Sequence, residues 1–346
     1  MKKILITGVT GQDGSHMADY LLNKNLGFVV GGIRRLSVSN HQNIEHLKGH
    51  PRFKLIDLDI TDPENTSSVI SEEQPDYFIN FAANSFVGNS WKMPVNHMET
   101  NCMSVLYQLE SIKKHCRACR YYNAGSSEEF GDVISCPQNE THPPRPRSIY
   151  GASKVSARQI VKVYRDSYDM YAVQGWLFNH EGVRRGADFV TRKISRGVAS
   201  IKIAIEQNEP IKTLSLGNID AKRDWSDAED FIDGVWLMLN QDKPKDYVLS
   251  SGRTHSIRDF VEECLLNAEI GHYWSGSNLL EKCTHSTNGS TLIDINKDFY
   301  RPAEVDILHG DSSLAEKELG WVRKSDFKLL VKKMYQNDYS QLLKKL

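Results

Sequence analysis

The chain has 346 residues, room for two ordinary domains or one large one. Its 43 lysines and arginines against 44 aspartates and glutamates leave a formal net charge of −1, so no global field draws nucleic acid or an anionic membrane. No apolar run approaches the roughly 18 residues of a membrane helix. The opening MKKILITG looks briefly like a secretion signal, but Thr7, Gly8, Thr10, Gln12 and Asp13 interrupt it before an apolar stretch forms. A cytoplasmic location is therefore expected.

KKILITG, a short apolar run ending in glycine, predicts a buried parallel strand. Met17 with Leu21, and Ala18 with Leu22, stand at i,i+4 spacing and predict a helix after it. FVVGGIRR, FKLIDLDIT and DYFINFAANS predict the second, third and fourth strands. Val95, Met98, Cys102, Val105, Leu109 and Ile112 form a helical stripe before the fifth strand, RYYNAGS. Such alternation predicts an α/β fold with a doubly wound parallel sheet of the Rossmann type. After about residue 180 strands shorten, and Trp, Arg and Asn gather in loops. The expected division is a dinucleotide-binding domain over 1–180 and a smaller substrate-binding region over 181–346, with the chain crossing back to the sheet.

ITGVTGQDG places Gly8, Gly11 and Gly14 between a predicted strand and a predicted helix. Glycines there let the backbone approach a pyrophosphate, and the helix N-terminus offers N–H donors. The second strand then distinguishes the cofactors. An NAD site usually ends that strand in Asp or Glu; here Arg34 and Arg35 follow it. Two guanidiniums suit a 2′-phosphate, so NADP is favoured over NAD, an ordinary solvated basic pair being the alternative.

Tyr150 and Lys154 stand four apart in SIYGASKVSAR and share a helix face. A lysine ammonium beside a phenol favours the phenolate. Such a tyrosine takes a proton from a sugar hydroxyl as hydride leaves the same carbon. YNAGSSEEFG, a strand running into a loop, adds Ser126 and two carboxylates, Glu128 and Glu129. In an extended segment Ser126 and Glu128 point the same way and Glu129 the other way. Glu129 is thus expected to be solvated or ion-paired, and dispensable. Cys102, Cys116, Cys119, Cys136, Cys264 and Cys283 are sparse. The lone Cys116-x-x-Cys119 spacing suits zinc or redox chemistry, but reduced thiols and no metal site are the expected reading.

These features resemble the extended short-chain dehydrogenase/reductases that act on nucleotide sugars. TGVTGQDG, IRR, PRSIYGASK, LFNHEGVRRGADFVTRKIS, LGNIDAKRDW and YRPAEVDILHGD, running from residue 7 to residue 311, resemble more narrowly the signature segments of the GDP-mannose 4,6-dehydratases. The resemblance implies that Ser126 falls where that family has a threonine polarising the sugar 4-oxygen. Glu128 falls on its catalytic glutamate, and Tyr150 and Lys154 on its base and lysine. It implies NADP contacts from Gly8, Thr10, Gly11, Gln12, Asp13, Gly14, Arg34, Arg35, Asp59, Ile60, Ala83, Asn84, Tyr150, Lys154 and His180. It implies GDP contacts from Asn179, Lys193, Arg223, Arg301 and Glu304, with Glu304 accepting from the guanine N1–H and 2-amino group. In the family the segment matching RRLSVSN reaches a neighbouring subunit, so a tetramer or dimer is implied.

The implied reaction is dehydration of a GDP-sugar: oxidation at C4, loss of water across C5 and C6, and hydride return to C6. Ser, Tyr and Lys suffice for an epimerase or reductase; the elimination needs one more carboxylate, and Glu128 is the candidate. The chain departs from the family pattern at Gly125, Ser126, Glu129, Asn84, Gly182 and Val183. These departures remove no catalytic group and leave open the rate and the sugar, a GDP-heptose in place of mannose; a GDP-sugar epimerase or reductase of the same fold is a separate alternative. A non-catalytic NADP-binding protein is a further alternative, against which the intact Ser126, Glu128, Tyr150 and Lys154 set speaks.

Overall fold

The computed structural model describes residues 1–35, 40–300 and 307–346. The N-terminal half lays down β1 (Lys3–Thr7), α1 (Gln12–Asn23), β2 (Phe28–Ile33), β3 (Phe53–Asp57), α2 (Pro63–Glu73) and β4 (Tyr77–Asn80). It continues through α3 (Pro94–Met98), a π turn (Glu99–Met103), α4 (Ser104–His115), β5 (Arg120–Ala124), α5 (Ile149–Tyr168) and β6 (Ala172–Leu177). The second half holds β7 (Asn179–Glu181), α6 (Val190–Glu206), β8 (Leu214–Leu216), β9 (Lys222–Asp227), α7 (Ala228–Leu239), β10 (Val248–Leu249), β11 (Thr254–Ser256) and α8 (Ile257–Asn267). The strands β12 (His272–Ser275), β13 (Lys282–His285) and β14 (Thr291–Ile295), then α9 (Ser313–Leu319) and α10 (Phe327–Leu343), complete it.

Seven parallel strands form one sheet in the order β10-β6-β5-β4-β1-β2-β3. Side chains alternate along each strand, so the sheet fills two layers. Ile4 and Ile6 of β1 pack with Met17, Leu21, Phe231 and Val235 of α1 and α7. Leu5, between them, packs on the other side with Ile70, Val105, Leu109 and Val161. Each such fully buried side chain contributes roughly 1.5–3 kcal/mol.

The stripe before β5 departs from the expected single helix. Val105, Leu109 and Ile112 are fully buried, but Val95 is 79% exposed. The π turn between α3 and α4 is the cause. Its extra residue rotates everything before it by about 100° and swings Val95 out to solvent. The third strand is also shorter than expected. Asp59 ends it by accepting from the backbone N–H and hydroxyl of Thr61 at 3.0 and 2.7 Å, a local turn that competes with the ladder.

The second half builds its own core from α6, α8, α10 and the small sheets β11-β9-β7 and β12-β13-β14-β8. Yet β10 pairs with β6, and α7 lies against α1. The chain therefore returns to the large sheet through α7 and β10, between residues 228 and 249. Among the described residues no helix is long and apolar enough to cross a membrane.

Candidate active site

The loop after β1 is shaped by two glycines. Gly8 sits at φ +67°, and a Cβ on it would lie 2.7 Å from the Ala82 nitrogen. A Cβ on Gly14 would lie 2.3 Å from the Gly8 carbonyl, so neither position accepts a side chain. The first turn of α1 can thus close onto the strand end, its backbone N–H groups facing outward. The carbonyl of Thr10 is held by Asn43 at 2.9 Å. Gln12 Oε1 is buried with no hydrogen-bond partner, an acceptor left for something other than the protein. Gly11 is exposed at the rim, and Arg34 and Arg35 are exposed just beyond the end of β2. Glycine loop, helix start and orphaned amide fit a dinucleotide cofactor. Asp59 and Ile60 follow β3, and Ala83 and Asn84 follow β4, along the same sheet edge. The Asn84 amide is spent within the protein, donating to Asn96 Oδ1 at 2.6 Å.

Asp13 and His180 close the loop from either side, Oδ2 to Nε2 at 2.9 Å, while His180 Nδ1 bonds the Phe178 carbonyl at 2.8 Å. Burial opposes the charge on both residues, but each holds the other charged: His180 lies above its ordinary value of 6.5 and Asp13 well below its ordinary 3.8. The stability from His180 is complete below pH 6.5 and is lost as pH rises through its folded-state value. That from Asp13 is complete above pH 3.8 and is lost as pH falls. The pair is intact between those limits. The His180 ring is expected to titrate above 6.5 by NMR, and His180→Gln to remove that part of the alkaline fall in stability. A His180 titration at or below 6.5 would contradict this pairing.

Beyond β5 the expected extended segment is a tight turn. Ser126 is extended at φ −155° and ψ 147°, and a 3₁₀ turn follows over Ser127–Glu129. The reason is local: Ser126 Oγ accepts from the Glu128 N–H at 3.2 Å, while Glu129 Oε1 accepts from the Ser126 N–H at 2.9 Å, a reciprocal capping box. Alternation therefore fails, and Glu129, not Glu128, reaches back into the protein. Of the two fates expected for Glu129, ion pairing is the one found. It is fully buried, with Arg158 Nε 2.5 Å from Oε2. Glu128 stays at the site, 8% exposed.

Tyr150 enters on the first turn of α5, which Ser148 caps by accepting from the Gly151 N–H at 3.0 Å. Lys154 lies one turn later. Tyr150 shares a hydrogen bond with Ser126, so β5 and α5 converge on one spot. Burial pushes Tyr150 up to about 12; Ser126 opposes the rise, and Glu128 and Glu129 add to it. The sequence led us to expect a lowered value. Burial wins because the Lys154 head group donates to the Ala124 carbonyl at 2.7 Å, its Nζ 5.8 Å from the Tyr150 ring centre. Lys154 itself is drawn down to about 8 by burial, against the pull of Glu129 and Asp13.

Asn179 and Arg223 stand on the paired strands β7 and β9. Asn179 Oδ1 is buried without a hydrogen-bond partner. Lys193, near the start of α6, places its ammonium 3.4 Å from the centre of the Phe299 ring. Burial lowers its pKa, with Asp294 pulling the other way. Arg301 and Glu304 lie outside the described residues. Arg185 was missed in the sequence. Its guanidinium lies 3.5 Å from the Phe189 ring centre and 2.9 Å from Glu181, and its charge reaches Asp13, His180 and Tyr150. The Arg-Arg doublet was the available signal; Arg184 turns instead to Asp19, at 2.6 Å. A cavity of about 1230 Å³ beside α8 and α10, lined by His255, Glu262 and Phe327, contains none of these residues.

A parallel sheet with a glycine loop after β1, and a Tyr-x-x-x-Lys pair on the helix after β5, defines a short-chain dehydrogenase/reductase of the extended type. Among solved structures the chain resembles a dTDP-glucose 4,6-dehydratase from Streptomyces venezuelae, at TM-score 0.81 and 19% identity over 98% of this chain and 97% of that one. It also resembles a UDP-glucuronic acid 4-epimerase from Bacillus cereus, at TM-score 0.80 and 22% identity over 98% and 99%. The family model for GDP-mannose 4,6 dehydratase matches residues 5–334. Proteins of that name from Cricetulus griseus and Vibrio cholerae are 41% and 40% identical, covering 97% and 98% of this chain and 91% and 94% of their own length. The chain belongs to the GDP-mannose 4,6 dehydratase family.

Proposed function

We propose that this protein dehydrates GDP-mannose to GDP-4-keto-6-deoxymannose, using NADP. The supporting observation is the convergence of Ser126, Glu128, Tyr150 and Lys154 on one buried spot at the sheet edge. A bound nicotinamide supplies the acceptor for the C4 hydride and its donor to C6. Ser126 and Tyr150 hold the C4 hydroxyl between them, and Tyr150 takes its proton. Lys154, one helical turn away, favours the phenolate through its positive charge. The ketone formed at C4 acidifies the C5 proton. Glu128 removes that proton and passes one to the C6 hydroxyl, which leaves as water. Asn179, Lys193 and Arg223 are assigned to the GDP moiety, with Arg301 and Glu304 assigned by sequence.

Incubation with GDP-mannose and NADP is expected to give a product lighter by one water, read by mass spectrometry. An unchanged mass, or an isomer of the substrate, would overturn the reading in favour of no activity or an epimerase. The preference for NADP rests on Arg34 and Arg35. Replacing both with glutamine should weaken NADP by about 1.5–3 kcal/mol per lost charge-assisted contact and leave NAD nearly unaffected. Equal binding of the two dinucleotides by the unaltered protein, measured by calorimetry, would refute it. The six cysteines, none in a disulfide, suit a reducing cytoplasm, and assembly as a dimer or tetramer is testable by light scattering.

A further inference from the structure

Four buried polar side chains cross the sheet just beneath the site. Thr7, Asn80, Asn123 and Gln174 lie on the adjacent strands β1, β4, β5 and β6, each in register with the next. Thr7 Oγ1 donates to Asn80 Oδ1 at 2.5 Å, Asn80 Nδ2 to Asn123 Oδ1 at 2.8 Å, and Asn123 Nδ2 to Gln174 Oε1 at 2.6 Å. Gln174 Nε2 then donates to Glu129 Oε1 at 3.1 Å and to the Lys154 carbonyl at 3.0 Å. Every donor faces the same way, from the strand that leads into the glycine loop toward Glu129.

Each amide alone could be turned over. The direction is fixed only by the groups at the end, the Glu129 carboxylate and the Lys154 carbonyl, which accept and cannot donate. Aligned bonds of this kind polarise one another, and their positive ends stabilise the buried carboxylate. Its charge is balanced by Arg158, which also donates to the Gln174 carbonyl at 2.6 Å and lies 3.4 Å from the Trp176 ring centre. Space for the pair comes from Gly125. A Cβ there would lie 2.7 Å from Arg158 Nη2 and 2.7 Å from Glu129 Oε1. Two departures from the family pattern, Gly125 and Glu129, are thus parts of one feature, with Arg158 as the third.

We propose that Glu129 is a positioning residue: paired with Arg158, it ends a one-way hydrogen-bonded ladder and thereby fixes Ser126 and Lys154 relative to the cofactor loop. This rests on the roles given above to Ser126 and Lys154. The charged and titratable groups around Lys154 are Glu129 on the turn after β5, Asp13 on α1, Arg158 on its own helix, and Tyr150 one turn back. The strand β6 carries no charged residue, and Glu99 and Glu110 are turned to Tyr107 and Tyr164.

The test compares Glu129→Gln, Arg158→Met and the double variant Glu129→Met/Arg158→Met. Glu129→Gln removes a negative charge beside Lys154, so the alkaline limb of the kcat profile should move to lower pH. Arg158→Met removes a positive charge, so the limb should move to higher pH. The double variant removes the two opposite charges together, with Asp246, which also meets Arg158 at 3.3 Å, keeping its pairing with Arg165 at 2.8 Å, and so returns the limb close to its original pH. Its turnover should still fall on the order of 10–100-fold, with KM for GDP-mannose nearly unchanged. Hydrogen exchange at the Ser126 amide, measured without substrate or cofactor, should be fast in the double variant and slow in the unaltered protein. This reading stands apart from any assignment of the reaction. Limbs that move together or not at all, or a double variant with unaltered turnover and a protected Ser126 amide, would reduce Glu129 to a structural group.

Discussion

Glu128→Gln is expected to lower dehydration by at least about 10²–10⁴-fold, the usual weight of a general acid–base group, because in the proposed reaction one side chain serves first as base and then as acid. The substitution preserves size, and Ser126 still accepts from the residue 128 N–H, so the turn should keep its shape. Oxidation at C4 should survive, since Tyr150 and Lys154 are untouched, and the 4-keto sugar should remain bound or revert. Solvent deuterium gives the clearest reading: it should enter C5 with the unaltered protein and be absent with Glu128→Gln. Release of dehydrated product at the original rate would remove Glu128 from the mechanism.

The largest loss of stability outside the site is expected at Asp338. This residue of α10 is 1% exposed in its side chain and meets Arg192 of α6 at 2.6 Å and the Ser195 hydroxyl at 2.5 Å. Asp338→Ala leaves the Arg192 guanidinium buried without its counter-charge, at a cost of about 3–5 kcal/mol. Lys193, proposed above to contact the GDP moiety, is the next residue along α6, so GDP-mannose affinity should fall with it. Arg192→Met/Asp338→Leu should recover most of the stability. Urea denaturation of the three proteins decides the matter, and a loss under about 1 kcal/mol for Asp338→Ala would show the pair to be poorly coupled.

Much of this was legible before any coordinates. Short apolar runs announced β1, β2, β4 and β5 because a strand buried on both faces has no polar alternation to hide it, whereas β3, at the sheet edge, is only partly buried. The glycine loop and the proposed Tyr150–Lys154 pair could be placed from the sequence because each lies within a single loop or a single helical turn. The π turn was not, since one inserted residue leaves a plausible apolar stripe in place. Nor was the turn after Ser126, where two side-chain bonds to backbone overrode the extended reading. The Glu129–Arg158 pair and the ladder from Thr7 to Gln174 join residues far apart in the chain. They become visible only when strand register is known. β10 is too short, at two residues, to stand out from a loop.

That short strand bears on how the protein is made. A ribosome delivers the chain from its N-terminus, and domains usually fold as they emerge. Here the edge of the large sheet stays open at β6, and α1 lacks its neighbour α7, until about residue 249 has been synthesised. The nascent N-terminal half must therefore wait, with apolar surface uncovered, while α6 has emerged but α8 and α10, which complete the second core, have not. A fragment ending near residue 180 should aggregate rather than bind NADP, and the complete chain should unfold in a single transition in which the two halves are lost together.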